Sequence, residues 1–511
     1  MCCGGDKSAS RRRARTGGVV ARPTGIAVAA GVRNCRFLLA LLLLLPRIAA
    51  AESVLSSAEF RVNTHAVDDQ GAASVAFGLE NGFLVVWESF DQAGSFDFDI
   101  YAQRYNSLGV PLGAEFRVNG SATGNQTGPR VASGADGTHV VVWQGDGTGE
   151  TADRDVFVRR FDALGAPLGD ELRVNSYTTA DQLHPDITSL SNGGFVVVWQ
   201  SFDQAGSYDF DVIGRRLTAA GVPTGPEFAL ATSTEEHQAR PVVAGGLSDG
   251  FLVAWQGLDP VGTADYDVYI RRFTSSGIAV SPQFRVNHYT VDNQRRPSVA
   301  VLGDDSFVVT WQSYREDGSD EGVFARLVAA NGEPFEDAFQ VSVGAKGEQC
   351  RPRVSAGDSS FVVVWETYAH AGDGDVGVYA RRFGNDGMPQ TGDLLLNQQM
   401  RDSQERPSLS ASPSGGFVVV WQSEARGGAV GDNVYARRYR GPTVVCGDAN
   451  DDLKVSASDA LGVLLTAIGA AQCDRCVCDA DGLVAVRAGD ALFVLQRALG
   501  LGGDLACPPC Q

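Results

Sequence analysis

The amino-acid sequence predicts an all-β protein: a seven-bladed β-propeller, with four strands in each blade, followed by a small α-helical domain. Three observations lead to this prediction. Tryptophan recurs seven times at intervals of 56 residues, with one interval of 54. Each tryptophan ends an apolar run such as FVVVW, which is typical of a buried strand. Three further strand-like elements accompany each run. The tryptophans are Trp87, Trp143, Trp199, Trp255, Trp311, Trp365 and Trp421.

Each unit of the repeat has the same order of elements. A short strand, after a proline in most copies, as in RPSVA, comes before the tryptophan run. An acidic, glycine-rich turn then leads into an alternating strand such as VYARRF, and a last turn leads into EFRVN or a relative of it. Alternating residue types indicate a strand whose two faces differ. Four short strands in each repeated unit are typical of a propeller blade.

The EFRVN-type element is offset from the tryptophan series, and this offset predicts how the ring closes. The first copy precedes the first tryptophan run, whereas the last unit ends at Tyr439 without one. We therefore expect Phe60 to Asn63 to complete the blade that begins near Pro407, which removes the exposed strand edges. An open β-solenoid is the alternative architecture. The seven copies start at Phe60, Phe116, Leu172, Phe228, Phe284, Phe339 and Leu394.

The repeat resembles one found in many large secreted bacterial proteins, with the consensus GGFVVVWQS…VYARRFD…EFRVN. The resemblance covers residues 54–440 and implies a propeller-type repeat protein that is exported. The tryptophans themselves are expected to pack in the core between blades.

Two polar residues recur in all seven units and are interpreted as structural. A glutamine precedes each tryptophan and an arginine follows it, both by about 17 residues, and both are expected to form hydrogen bonds between blades. Functional residues should therefore be sought where the copies differ. The glutamines are Gln70, Gln126, Gln182, Gln238, Gln294, Gln349 and Gln404. The arginines are Arg104, Arg160, Arg216, Arg272, Arg326, Arg382 and Arg438.

The acidic turns carry aspartates two residues apart, a spacing that suits the oxygen ligands of calcium. The DxDxDG pattern of well-defined calcium loops is missing from them, so solvated turns are the favoured interpretation. The pairs are Asp97 and Asp99, Asp153 and Asp155, Asp209 and Asp211, Asp265 and Asp267, and Asp373 and Asp375.

Composition and the N-terminus indicate an exported, soluble protein. A net charge of −19 repels nucleic-acid phosphates and anionic membranes, so neither is expected as a partner. Residues 1–51 read as a signal peptide, because the apolar run Phe37 to Leu45 is followed by a small-residue pattern at Ala49 to Ala51. Its long leading segment suggests that translation starts downstream, near Val32. No second apolar stretch follows, so the mature chain is expected to be secreted, without a transmembrane segment.

Residues 446–511 differ from the repeat and hold six of the ten cysteines. Two acidic loops, 31 residues apart, each lead into an amphipathic helix and carry an aspartate at the twelfth position. This segment resembles a type I dockerin domain, whose paired F-hand loops (EF-hand relatives) bind calcium. The resemblance implies calcium as cofactor, with weaker binding or none in the second loop, where Leu483 and Arg487 replace oxygen donors. In loop one the matching positions are Asp448, Asn450, Asp452, Lys454, Ser456 and Asp459, and in loop two Asp479, Asp481 and Asp490.

The same domain has a possible partner surface and a disulfide framework. The positions that meet a cohesin in dockerins are the small pairs Ala457-Ser458 and Ala488-Gly489, which permit a cohesin-like partner. An even number of cysteines in an exported domain predicts disulfides, whereas the spacing of the two CxxC pairs leaves zinc as an alternative. Cys350 is expected to be a free thiol. The disulfide candidates are Cys446, Cys473, Cys476, Cys478, Cys507 and Cys510.

The sequence offers little sign of catalysis. The six histidines show no metal-ligand spacing, and no nucleophile-elbow, HExxH or phosphate-loop motif is found. The favoured function is a non-catalytic extracellular protein whose propeller face binds protein or carbohydrate, with the C-terminal domain for attachment. The alternative is a secreted propeller hydrolase that acts on polysaccharide, which needs two carboxylates at one pocket. Acids at one end of the channel that are absent from equivalent copies would favour the enzyme.

Overall fold

The structure is a computed structural model. It describes residues 57–441, except 122, 148–152, 234–235, 247–249, 259–264, 319, 344–346, 369–375, 400–401, 414 and 425–430. Near the C-terminus it describes residues 455, 457–469, 475–478, 480, 486–501 and 505. The predicted signal peptide lies outside the described residues. Within them, no helix is long and apolar enough to cross a membrane.

The described residues form seven antiparallel sheets of four strands each, so the predicted seven-bladed propeller is confirmed. Strand β1 spans Phe60–Arg61, and blade I consists of β2 (Gln70–Phe77), β3 (Phe83–Phe90), β4 (Phe98–Tyr105) and β5 (Phe116–Arg117). Blade II consists of β6 (Gln126–Ser133), β7 (His139–Asp146), β8 (Arg154–Phe161) and β9 (Leu172–Arg173). Blade III consists of β10 (Gln182–Ser189), β11 (Phe195–Phe202), β12 (Phe210–Leu217) and β13 (Pro223–Ala229). Blade IV consists of β14 (Gln238–Gly245), β15 (Phe251–Leu258), β16 (Tyr266–Phe273) and β17 (Phe284–Arg285).

The last three blades follow the same plan. Blade V consists of β18 (Gln294–Val301), β19 (Phe307–Tyr314), β20 (Glu321–Val328) and β21 (Phe339–Gln340). Blade VI consists of β22 (Gln349–Ala356), β23 (Ser360–Tyr368), β24 (Val376–Gly384) and β25 (Leu394–Leu395). Blade VII consists of β26 (Gln404–Ala411), β27 (Phe417–Ser423) and β28 (Asn433–Tyr439), together with β1.

Blade VII is completed by the N-terminal strand, as predicted from the offset of the EFRVN-type element. β1 pairs antiparallel with β28, with Phe60 opposite Ala436, and the Val62 N–H donates to the Val434 carbonyl at 2.8 Å. The first strand of blade I, β2, also packs against β26 of blade VII. The ring is therefore closed, and the open solenoid is wrong.

The core lies between successive blades, as expected. All seven tryptophans are at most 1% exposed. Trp143 of blade II, for example, shares one apolar cluster with Val86 and Ile100 of blade I. Because every blade buries its tryptophan face against its neighbour, the blades stabilise one another.

Five of the seven glutamines act within their own blade, so the predicted role between blades is wrong for these five. It holds for Gln294 and Gln349, which accept hydrogen bonds at 3.1 Å from Asn287 and Ser342 of the preceding blades. In five blades the tryptophan Nε1 donates to the Oε1 of the glutamine on the preceding strand, at 2.5 to 3.3 Å. In blade VI the Trp365 Nε1 donates instead to the Thr367 hydroxyl at 3.1 Å. In blade V the Trp311 Nε1 is buried and has no hydrogen-bond partner among the described residues. The glutamine therefore satisfies a buried donor that its own blade creates.

The arginine prediction is confirmed in part. Arg104 and Arg272 donate to the carbonyls of Ala163 and Ala330 in the following blades, at 2.7 and 3.3 Å. In six blades the residue immediately before this aligned position is an arginine, and it donates a hydrogen bond to a carbonyl of the preceding blade. Arg326 belongs to this second set, because Leu327 occupies the aligned position in β20. The second set is Arg159, Arg215, Arg271, Arg326, Arg381 and Arg437.

The C-terminal segment contains two short helices of 11 residues, α1 (Ala457–Ala467) and α3 (Ala488–Ala498), and a single turn between them, α2 (Arg475–Cys478). α1 and α3 pack together around Val463, Val477 and Val494. Leu108, from the loop between β4 and β5, contributes to the same apolar cluster. The helical character is as predicted, but two short helices do not show a dockerin-like domain.

Candidate active site at the mouth of the central channel

The first strand of every blade lines the channel and carries a β-bulge near its start. The residue at the centre of each bulge has a left-handed backbone, with φ between 48° and 63°. Such a conformation costs a residue with a side chain about 1 kcal/mol or more, and bulges commonly re-aim side chains beside active sites. The seven bulge residues are Ala72, Gly128, His184, Arg240, Arg296, Arg351 and Arg406.

Six of the seven bulges are held by the residue that follows the tryptophan of the preceding blade. The His184 N–H donates to the Gln144 Oε1 at 2.7 Å, and the Arg406 N–H donates to the Glu366 Oε1 at 2.6 Å. Sequence analysis missed this contact, although a glutamine or glutamate after every tryptophan was a visible signal. Glutamine makes four of these contacts, so the contact itself requires no charge. The seven residues are Glu88, Gln144, Gln200, Gln256, Gln312, Glu366 and Gln422.

Two residues beyond each bulge centre, a second ring of side chains lines a cavity of about 510 Å³ along the channel. Four members are Ser or Val, whereas the other three are charged. Asp186 Oδ1 lies 4.0 Å from the Arg130 Nε, and Asp186 Oδ2 accepts the Val243 N–H at 2.9 Å. Burial raises the pKa of Asp186, although Arg130 opposes this. The ring is Ser74, Arg130, Asp186, Val242, Ser298, Arg353 and Ser408.

Two further carboxylates meet around one arginine between blades VI and VII, and we call Glu366 and Glu405 the carboxylate pair. The Arg351 Nη1 lies 3.3 Å from Glu366 Oε1 and 3.8 Å from Glu405 Oε2. Glu366 stands where five blades carry glutamine, with Glu88 as the other exception. Glu405 has no acidic counterpart, because its aligned residues are Gly71, Thr127, Leu183, Ala239, Arg295 and Cys350.

The two members of the carboxylate pair differ in environment. The side chain of Glu366 is 1% exposed, whereas that of Glu405 is 39% exposed. Burial and the nearby Glu366 raise the pKa of Glu405, while Arg351 and Arg406 act in the opposite direction. Burial lowers the pKa of Arg351, but Glu366 and other neighbours outweigh it and raise the pKa above its ordinary value. A half-exposed carboxyl with raised proton affinity beside a buried carboxylate is an arrangement suited to general acid catalysis.

Several of the acidic turns hold a buried aspartate. In three of them the second aspartate is buried and accepts the Nδ2–H of an asparagine from the EFRVN-type element, at 2.5 Å. The favoured interpretation as solvated turns is wrong for these aspartates, because the asparagine draws them into the blade. Asp373 to Asp375 lie outside the described residues. Among the residues described, no group of three or more His, Cys, Asp or Glu is suited to hold a metal ion. The three pairs are Asp99 with Asn119, Asp155 with Asn175, and Asp267 with Asn287.

Only part of the predicted calcium and cysteine sites is described. Asp459 and Asp490 lie in the first turns of α1 and α3 and are fully buried. The Asp490 Oδ2 accepts the Arg487 N–H at 2.7 Å, which stabilises the start of α3. Cys478 is buried. Cys350 carries a buried thiol, as predicted. The side chains of Asp448, Asn450, Asp452, Lys454, Ser456, Asp479, Asp481, Cys446, Cys473, Cys476, Cys507 and Cys510 lie outside the described part of the chain.

Comparison with known proteins identifies the fold but no family. No protein-family model matches the chain, and no curated protein matches it in sequence. Solved structures of similar fold include a protein of unknown function from Dyadobacter fermentans (11% identity, 64% of this chain, 98% of that chain, TM-score 0.47). They also include an α-L-arabinanase from Penicillium chrysogenum (14%, 65%, 99%, 0.44) and an α-L-arabinofuranosidase from Fusarium graminearum (12%, 61%, 91%, 0.42). At such identities the likeness concerns the fold alone.

The prediction of a non-catalytic binding or structural protein is wrong. The repeat is not uniform in its acidic residues: Asp186 and Glu405 have no acidic counterparts at the aligned positions of the other blades. This is the outcome that favours the hydrolase alternative.

Proposed function

We propose that this chain is a secreted hydrolase that cleaves O-glycosidic bonds of a polysaccharide at the mouth of its propeller channel. The observation that carries the proposal is the break in seven-fold repetition: Asp186 and Glu405 occupy positions that the other blades fill with neutral residues or with arginine. Burying charge is costly, so a repeat that functions with neutral residues has no structural need for it.

The neighbours of the two carboxylates assign them as acid and base: Glu366 adds to the rise in the pKa of Glu405, whereas Arg130 opposes the rise in the pKa of Asp186. Glu405, half-exposed and with a raised pKa, donates a proton to the oxygen of the leaving sugar. Asp186, which lines the channel cavity, takes a proton from the attacking water. Glu366 is a positioning residue, since its negative charge raises the pKa of Glu405 and its hydrogen bond fixes the bulge that carries Arg406.

Two substitutions test these roles against a matched control. Glu405→Gln and Asp186→Asn should each lower kcat on a cleaved polysaccharide by about 100-fold or more, with folding retained. Glu88→Gln is the control, because it restores the glutamine that five blades carry at this position. Reducing-sugar release from a panel of plant and microbial polysaccharides provides the assay. A panel that the wild type leaves intact, or full activity in the Glu405 and Asp186 variants, would reject the proposal.

We further propose that the C-terminal domain is a dockerin-like module that binds calcium through loop one and attaches the enzyme to a cohesin-like or other extracellular partner. The resemblance of the sequence supports this, as does the burial of Asp459 and Asp490 at the starts of two packed helices. Calcium titration by calorimetry should show binding that Asp448→Ala abolishes and Asp479→Ala leaves largely intact. If both variants show the full heat of calcium binding, loop one is not the calcium site.

A further inference from the structure

A second, smaller cavity of about 70 Å³ opens at the channel mouth between blades II and VI. Its lining includes five arginines but only one carboxylate, Asp186. We call this cavity the arginine mouth. Its charged residues are Arg130, Arg240, Arg296, Arg351, Arg353 and Asp186.

The arginines are not required by the scaffold. At the bulge centre, blades I and II carry Ala72 and Gly128, and glycine adopts a left-handed backbone at lower cost than any other residue. At the second ring, three blades carry serine where blade VI carries Arg353. Arginine at these positions therefore adds strain or charge that the ring itself does not need.

The positive charges of the arginine mouth lie close to one another. Burial and the neighbouring Arg130 lower the pKa of Arg353 to about 9, although Asp186 opposes them. Burial also lowers the pKa of Arg130. Such shifts mean that another negative charge at this point would be favourable, whereas the chain as a whole carries −19. The basic character is thus local to the mouth.

We infer that the arginine mouth binds the acidic group of a glycan, so that the polysaccharide substrate is anionic. Guanidinium groups pair with carboxylates and sulfate esters through two parallel hydrogen bonds, and they do so most strongly where water is partly excluded. Arg351 lines this cavity and also contacts both members of the carboxylate pair. An acidic group bound by Arg351 therefore lies next to Glu405. Calling this glycan a substrate rests on the proposed hydrolase function, but its binding can be measured without turnover.

Calorimetric titration of the full chain with three oligosaccharides tests the inference. The probes are an oligogalacturonate (carboxylate), a carrageenan oligosaccharide (sulfate) and a neutral arabino-oligosaccharide. We expect at least one anionic probe to bind and the neutral probe to bind about tenfold more weakly or not at all, with the difference shrinking as salt is raised. The stronger anionic probe identifies the acidic group.

Arg353→Ser should weaken binding of that probe about tenfold or more, because serine occupies this position in three other blades and the fold tolerates it. Arg117→Ser, on the outer strand β5 of blade I, is the matched control and should bind normally. Equal binding of neutral and anionic probes, or an unchanged affinity in Arg353→Ser, would overturn the inference. Anion binding without any cleavage would uphold the anion site and reject the hydrolase. Cleavage of neutral glycans alone would uphold the hydrolase and reject the anion site.

Discussion

At the scale of single residues, the seven buried tryptophans are equivalent in packing but not in hydrogen bonding. The Trp143 Nε1 donates to the Gln126 Oε1 at 2.8 Å, whereas the Trp311 Nε1 has no hydrogen-bond partner in the described part of the chain. A buried polar atom left without a partner costs about 1–3 kcal/mol. The same substitution at these two sites therefore has different consequences.

We predict that Trp143→Phe destabilises the protein more than Trp311→Phe, by about 1–3 kcal/mol. Both changes remove similar apolar contacts. Trp143→Phe leaves the Gln126 Oε1 without its donor, whereas Trp311→Phe removes a donor that has no partner among the described residues. Urea unfolding of the two variants measures the difference. Equal losses would mean that the glutamine contact contributes nothing.

A second residue-scale prediction concerns His139, which occupies a position where the other six blades carry phenylalanine. Burial, with help from Arg104, lowers the pKa of His139 to about 4. Between this value and the ordinary histidine pKa of about 6.5, the unfolded chain takes up a proton that the folded chain refuses. The free energy of unfolding should therefore fall by up to about 3 kcal/mol as pH drops through this window.

His139→Phe should remove this pH dependence while keeping the fold. Unfolding measured at pH 7 and at pH 4.5 provides the test, with each variant serving as its own reference. If the wild type and His139→Phe lose stability in parallel between the two pH values, His139 is not the group responsible.

At the scale of elements, the strand composition of the ring and its closure followed from the sequence, because strand alternation and the offset EFRVN-type element are local patterns. The bulge at the start of each inner strand did not. It adds a residue that breaks the period of two, so Arg351 and Arg406 could not be assigned to the mouth from spacing alone. Arg326 was placed in the wrong set for a similar reason: its unit is two residues shorter, and strand pairing rather than distance from tryptophan fixes the alignment.

The closing strand can be tested through Asn63. Its side chain donates to Asn433 Oδ1 at 2.8 Å and accepts the Val434 N–H at 2.9 Å, so it joins residues some 370 positions apart in the chain. Asn119 makes the corresponding contacts to Asp99 and Ile100 inside blade I. The two asparagines thus differ mainly in whether their bonds hold the ring shut.

We predict that Asn63→Ala accelerates amide hydrogen exchange throughout β1, β26, β27 and β28, because the seam opens as a unit. Asn119→Ala, the matched control, should affect blade I alone. Exchange that stays confined to residues next to position 63 would indicate that the closing strand is held by other contacts.

At the scale of the whole molecule, seven-fold repetition explains why the sequence was a better guide to the scaffold than to the site. Residues that recur were easy to find and proved structural. Asp186 and Glu405 are each the one acidic residue at their position of the repeat, and Glu366 shares its position with one other glutamate, Glu88. Sequence alone does not show which of these deviations face one channel. The ring brings Asp186 of blade III and Arg351 of blade VI to the same cavity, and Arg351 contacts Glu366 and Glu405.

This arrangement predicts the pH dependence of hydrolysis. Activity requires Glu405 to be protonated and Asp186 to be ionised, so the rate should rise and then fall with pH, and its alkaline limb reports the proton on Glu405. Glu366 raises the pKa of Glu405, whereas Arg351 and Arg406 lower it. Glu366→Gln removes the negative charge, and the fold should tolerate this substitution because five blades carry glutamine at this position.

Without that charge Glu405 loses its proton at a lower pH, so the alkaline limb of kcat/KM should move toward acid while the acid limb stays in place. A pH–rate profile of Glu366→Gln beside the control Glu88→Gln measures this shift. A residue that only supported the fold would lower the rate equally at all pH values. An alkaline limb that coincides in the two variants would therefore remove Glu366 from the proton chemistry and return it to the scaffold.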